Sequence, residues 1–292
     1  MTEKEITNTI RAISMRSLPD GGFYEQPDSL CRADSTAWAI LALKSMDTHS
    51  SLIESARSSL ASQQLDDGRI CISREHPQVI WPTSLVILAW QGSVAYRKKL
   101  DMAIHFLIKT KGTFFKKSAN SIHTIDSSLA GWPWIEKTFS WVEPTALSVL
   151  ALRLSSCGNH ERVHEAIRLL MDRQLPRGGW NIGSTIIYGQ ETYPQLDCTG
   201  LALSALAGQV DKKEIERSLA YLKAQIVRCR TPLSLCWALF GLGAWGERPT
   251  EAQRWIIDCL SQQTKFGTYG TTLLSLIVLA HRAKGGFLET IS

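Results

Sequence analysis

Glu143-Pro-Thr-Ala-Leu-Ser-Val-Leu-Ala-Leu opens on an acid, places proline early and then runs apolar for the length of a helix. The same phrase recurs. It reads Asp34-Ser-Thr-Ala-Trp-Ala-Ile-Leu-Ala-Leu, Trp81-Pro-Thr-Ser-Leu-Val-Ile-Leu-Ala-Trp and Asp197-Cys-Thr-Gly-Leu-Ala-Leu-Ser-Ala-Leu. Looser copies begin at Thr231 and Gly270, and successive starts fall about 34 to 62 residues apart. Repetition at this period marks a helical array and sets the frame for every other motif. Asp34 and Asp197 are expected to cap their helices, and Pro82, Pro144 and Pro232 suit the first turn, where a missing N–H costs nothing. Segments apolar on nearly all sides belong in an interior.

Between these phrases lie segments of a second kind: Glu5–Ser14, Ser51–Gln64, Lys98–Lys109, Glu161–Gln174, Lys212–Gln225 and Glu251–Gln263. In one of them Val163, Ile167, Leu170 and Met171 share a face while Glu165, Arg168, Asp172 and Arg173 fill the other. That is the pattern of a helix with one wet side. Six alternations of amphipathic and buried helix predict an all-α, (α/α)6 toroid, with six inner apolar helices ringed by six outer ones. A single domain over residues 1–292 is expected. An open solenoid would need polar capping repeats, and the last apolar phrase is as greasy as the central ones.

The connecting turns repeat as well. Ser17-Leu-Pro-Asp-Gly-Gly-Phe, Gln64-Leu-Asp-Asp-Gly-Arg, Gln174-Leu-Pro-Arg-Gly-Gly-Trp and Gln263-Thr-Lys-Phe-Gly-Thr-Tyr each join a polar helix end to a glycine, usually with an aromatic after it. Glycine allows the left-handed conformation that stops a helix. A structural staple between neighbouring repeats is the plainest reading of such a turn.

Composition narrows the function classes. The chain has 292 residues, 32 Lys and Arg against 27 Asp and Glu, and a net charge of +5. Its basic residues are dispersed, with short clusters at Arg97-Lys98-Lys99 and Lys116-Lys117. No basic stripe of the kind that grips nucleic acid is present, so no nucleic-acid partner is expected. Weak peripheral attraction to an anionic membrane surface is compatible with the charge. No apolar run approaches about 18 residues, which argues against a spanning helix. The first eleven residues lack the apolar centre of a secretion signal. Seven cysteines without a C-x-x-C pair then suggest reduced thiols and a cytoplasmic protein.

The Gln-x-x-x-x-Gly-x-aromatic turns, each leading to an Asp- or Pro-x-Thr-Ala helix, resemble the repeats of squalene–hopene cyclases and of protein prenyltransferase β subunits. The resemblance spans roughly Leu18 to Ala283. It implies an α/α toroid whose cavity takes a polyisoprenoid chain. In the cyclases an Asp-x-Asp-Asp-Thr stretch supplies the acid that protonates an alkene or epoxide. The similar stretches here, Gln195-Leu196-Asp197-Cys198-Thr199 and Arg32-Ala33-Asp34-Ser35-Thr36, keep the middle Asp and the Thr but lack the flanking acids. The prenyltransferase half of the resemblance implies a zinc held by Asp, Cys and a distant His. Asp197 and Cys198 are adjacent, hence about 100° apart on a helix, and His281 falls late in its segment. No metal and no cofactor is therefore expected.

Asp197, Glu143 and Asp34 occupy equivalent positions of three repeats and are the candidate catalytic residues, expected to gather at one rim. Glu143 is the member least explained by capping, since Glu is a poor cap. Trp132, Trp134 and Trp141 crowd one loop, and such rings must pack somewhere. Either they brace the wide gap before the third apolar phrase or they line the cavity mouth, where ring quadrupoles stabilise a cation. Trp81, Trp180, Tyr188 and Tyr193 complete the expected substrate-binding set. The ligand class this supports is an apolar isoprenoid or lipid, with any partner subunit unknown. An enzyme resembling a small class II terpene cyclase, with a degenerate acid motif, heads the readings. A non-catalytic lipid-binding toroid, a zinc prenyltransferase-like enzyme and a carbohydrate-active (α/α)6 enzyme stand beside it.

Overall fold

Residues 3–27, 29–113, 125–187 and 189–292 are described by the structure, a computed structural model. Amphipathic and buried helices alternate along the chain. They run α1 (Glu3–Ser14) and α2 (Ala33–Lys44), α3 (Ser50–Gln63) and α4 (Pro82–Trp90), then α5 (Arg97–Lys109) and α6 (Val142–Arg153). Next come α7 (Glu161–Asp172) and α8 (Leu196–Leu206), then α9 (Glu216–Ile226), entered through a 3₁₀ turn at Lys212–Ile215, and α10 (Pro232–Ala244). Finally α11 (Ala252–Ser261) and the short α12 (Gln263–Phe266) precede α13 (Thr271–Arg282), and α14 (Phe287–Ile291) closes the chain. A two-residue antiparallel ribbon, Ile186–Ile187 with Gln190–Glu191, interrupts the loop before α8.

The helices fall into two units. One holds Met1–Lys109, Thr250–Lys284 and Glu289–Ser292; the other holds Thr110–Pro249 and Gly285–Leu288. Within the first, α2 packs against α3, α4 and α13. All of α2 from Ala33 to Leu43 and all of α4 are buried, as a sequence apolar on every side requires. Within the second, α8 packs between α6 and α10. There α8 and α10 come close enough for backbone to meet backbone, since a Cβ placed on Gly200 would lie 2.2 Å from the Trp237 carbonyl oxygen. Trp237, Phe240 and Phe287 fill this unit's interior, with ring centroids 5.2 to 5.6 Å apart.

One bond type carries the repeat. In α2, α4, α6 and α8 a threonine in the first turn accepts the N–H of a residue that follows a glycine turn. Phe23 donates to Thr36 at 2.9 Å and Ile70 to Thr83 at 3.0 Å. In the second unit Trp132 donates to Thr145 at 3.0 Å and Trp180 to Thr199 at 2.9 Å. The turns themselves press on the flanking helices. Gly178 sits at φ +97°, and a Cβ there would come within 2.6 Å of the Arg217 backbone. At the opposite helix ends arginines reach the last carbonyls: Arg57 to Ala89 and Arg153 to Ala205, both at 3.0 Å. Cations there complement the helix dipole.

The expected caps fall elsewhere. Arg32 and Gln195 hold the cap positions of α2 and α8 in extended conformation, without a side-chain cap bond. The threonine tether fixes where each helix begins, so Asp34 and Asp197 become second residues of their helices. In that place a carboxylate meets the dipole but need not bond to it.

Candidate active site

Glu143 and Asp197 are the second residues of α6 and α8, two helices in contact within one unit. Each is half-buried. Neither has a hydrogen-bond or ion-pair partner among the described residues, so nothing offsets the proximity of the two acids. Burial, and then the negative charge of Asp197, push the Glu143 carboxyl from its ordinary 4.5 up to about 7. Desolvation penalises the charged form and a like charge penalises it again, so both causes act in the same direction. Glu143 therefore keeps its proton close to neutrality.

Cys198 and Tyr221 stand near the acids, and Trp141 lies two residues before Glu143. The Cys198 thiol is buried and pushed up by burial, Asp197 and Glu143, which keeps it neutral; its Sγ–H donates to Gln195 Oε1 at 3.3 Å. Tyr221, from α9, donates its hydroxyl to the Pro194 carbonyl at 2.9 Å. Burial and the charges of Asp197 and Cys229 raise the Tyr221 phenol as well, so it remains a donor. Trp141, half-buried, directly precedes α6, and its N–H is held by the Trp132 carbonyl at 3.1 Å.

Asp34 has a different environment. It belongs to the other unit, and Arg32 clasps both its oxygens, Nε to Oδ1 at 3.0 Å and Nη2 to Oδ2 at 2.7 Å. A bidentate arginine orients this carboxylate, which suits a structural ion pair. The arginine stands two residues before the acid, yet position alone does not reveal the clasp.

The aromatic candidates divide by burial. Trp180 is fully buried, and its Nε1–H donates to the Leu170 carbonyl at 2.6 Å. Trp132 is buried beneath the Arg162 guanidinium, 4.4 Å from the ring centre, and Arg162 in turn holds the Ala130 carbonyl and Glu165. Both rings are thus bound into the packing. Trp134 is half-buried, as is Trp81 in the other unit, and Tyr193 is largely exposed. Tyr188 lies outside the described residues. Around the starts of α6 and α8 the loops expose Ile135, Phe139, Ile182 and Ile187. Those loops are joined, because the Val142 N–H donates to the Ile182 carbonyl at 3.0 Å. Among the described residues no three His, Cys, Asp or Glu side chains group to hold a metal ion. No described helix is long and apolar enough to cross a membrane.

No protein-family model matches the sequence, and no curated protein does. Solved structures are similar throughout their length. A variant of the type II terpene cyclase MstE from Scytonema, in complex with geranylgeranyl dihydroxybenzoate, matches at TM-score 0.61 and 14% identity, covering 99% of this chain and 98% of that one. An inactive variant of an α-1,6-mannanase from a Salegentibacter species matches at TM-score 0.63 and 12% identity, covering 95% and 98%. A protein from Actinoplanes matches at TM-score 0.61 and 13% identity, covering 99% of both chains. At such identities the likeness shows the fold. It is all-α, the α/α toroid of terpenoid cyclases, and that fold also carries glycan chemistry.

Proposed function

We propose that the protein is an isoprenoid-converting enzyme in which the Glu143 carboxyl is the acid and Asp197 its charged partner. The observation that carries this is the unpartnered Glu143–Asp197 pair, with one member protonated near neutral pH. General acids work best with a pKa close to the working pH. A carboxyl whose proton affinity is raised by its surroundings is suited to act as the acid of a pair. Exposed Ile135, Phe139, Ile182 and Ile187 on the adjoining loops favour an apolar substrate over a hydrated one. They also support weak peripheral contact with a membrane from which such a substrate would come.

In the proposed reaction the Glu143 O–H delivers its proton to the terminal double bond, or terminal epoxide oxygen, of a prenyl chain. A C–H or O–H bond forms and a tertiary carbocation results. The next double bond supplies its electron pair, closing a C–C bond, and the migrated charge is quenched when a neighbouring carbon loses a proton to carboxylate. The sum is an isomerisation, and no oxidant or reductant is consumed. Desolvation makes the Glu143 anion unfavourable, so protonating an oxygen asks less of this acid than protonating a bare alkene. Half-buried Trp141 and Trp134 would lend their faces to the cation.

One observation favours a second reading. A raised carboxyl beside an ionised one is also the arrangement that cleaves glycosidic bonds, and the mannanase likeness is as good as the cyclase one. Incubation with a geranylgeranyl substrate, with its terminal epoxide and with α-1,6-mannan, followed by mass spectrometry, separates the two. The proposal expects cyclised isoprenoid from the wild type and none from Glu143→Gln. Release of mannose with no isoprenoid product would replace it with the glycosidase.

A further inference from the structure

Asp197 is the second residue of α8, and the chain that leads into it, residues 193–195, is held by groups outside the buried helices. The stretch 192–195 leaves the ribbon in irregular conformation, and α8 begins two residues after Pro194. Gln195 is tied to the glycine turn, its N–H donating to the Trp180 carbonyl at 2.8 Å. Pro194 has no N–H of its own, and its carbonyl is held by the Tyr221 hydroxyl at 2.9 Å. Tyr221 is itself firmly seated. A Cβ on Gly179 would lie 2.7 Å from Pro194 Cβ and 3.2 Å from Tyr221 Cδ1, so the turn, the proline and the ring fill one space. One helical turn earlier on α9, the Ser218 hydroxyl accepts the Gly179 N–H and the Gln174 amide, both at 2.7 Å. The face of α9 carrying Ser218 and Tyr221 is thus a wall against which the approach to α8 is set.

We infer that Tyr221 is a positioning residue for the Glu143–Asp197 pair, acting through the Pro194 carbonyl to hold Asp197 near Glu143. Holding a charged Asp197 beside the Glu143 carboxyl is unfavourable whenever Glu143 ionises, and the hydroxyl bond restrains the chain that leads into Asp197 against moving away. The charge that acts on Glu143 is that of Asp197; Glu143 and Asp197 both act on the Cys198 thiol beside them, and Tyr221 is affected by Asp197 and Cys229. This inference rests on the proposed pairing of the two acids as the site, and its test does not depend on turnover.

The test is the titration midpoint of Glu143, followed by carbon-13 NMR of selectively labelled carboxyls, in the wild type and in Tyr221→Phe. Phenylalanine keeps the ring and removes the bond to Pro194. The expected result is a midpoint lower by half a pH unit or more, because Asp197 withdraws and water enters, while Ser218→Ala leaves it in place. Pro194→Gly, which keeps the acceptor but frees the chain, must lower the midpoint in the same way. It carries the test should Tyr221→Phe not fold. A midpoint unmoved in whichever variant folds overturns the inference, even if thermal stability drops, because that drop alone would mark a merely structural hydroxyl. A lowered midpoint alongside undiminished turnover by Glu143→Gln would leave the positioning intact and remove the proposed acid.

Discussion

The Trp180 N–H donates to the Thr199 hydroxyl at 2.9 Å, and Thr199 stands two residues after Asp197. One bond therefore locks the glycine turn to the helix that presents an acid. The hydroxyl also donates back to the Trp180 carbonyl at 3.2 Å. Replacing Thr199 with Val keeps the shape and strands a buried N–H, at a cost of about 1–3 kcal/mol. Chemical denaturation should report that loss. The same substitution at Thr83 should cost a similar amount, and unchanged stability at both positions would mean that the tether does not hold the repeat.

Gly200 is a second point of dependence. Its neighbour across α8 and α10 is backbone, which cannot swing aside as a side chain would. Gly200→Ala forces the helices apart, and overpacking of this kind costs about 1–3 kcal/mol or more. A thermal melt should show the drop, with no matching drop for Ala at Gly158, which lies outside the helices and where a Cβ makes only ordinary contacts of 3.4 Å or more.

Glu143 makes stability depend on pH with a definite sign. Folded, it keeps its proton to about pH 7; unfolded, it releases it near 4.5. Between those values the folded state binds more protons than the unfolded one, so stability falls as pH rises. Below pH 4.5 the penalty is absent, and above pH 7 it levels off at about 3 kcal/mol. Denaturation midpoints measured from pH 4 to 8 should show this slope in the wild type and a flatter one in Glu143→Gln. Equal slopes would show that burial of Glu143 costs the fold nothing.

Much of the helix plan was legible in the sequence because it depends on local periodicity. Val163, Ile167 and Leu170 mark the buried side of α7, and the unbroken apolar run from Leu85 to Trp90 marks a helix buried all round. The site was legible in part. Glu143 and Asp197 stand out at equivalent repeat positions, and capping explained Glu143 poorly. What separates them from Asp34 is tertiary or side-chain geometry: the absence of donors at the pair, against the arginine that clasps Asp34. Tyr221 gave no signal, since it looks like any amphipathic-helix aromatic until Pro194 is brought against it. The N-cap assignments of Asp34 and Asp197 failed for a similar reason. The threonine tether spans 13 residues in one repeat and 19 in the other, and no local pattern displays it.

The two aspartates should part company on mutation. Asp197→Asn removes the charge beside Glu143 and is expected to lower turnover of an isoprenoid substrate at least a hundredfold, within the usual worth of acid–base catalysis. Asp34→Asn loosens the Arg32 clasp and should cost about 1–2 kcal/mol of stability, discounted because Arg32 is partly exposed, with turnover kept. Product yield by gas chromatography and denaturation of both variants check this. Loss of turnover in Asp34→Asn at intact fold would bring that residue into the reaction.

The proton on Glu143 can be watched directly. Carbon-13 titration of its carboxyl in the intact protein, compared with the same titration in Asp197→Asn, should give a midpoint near pH 7 that moves down once the neighbouring charge is gone. A midpoint near 4.5 in both proteins would mean an ordinary solvated glutamate, leaving the proposed chemistry without its acid.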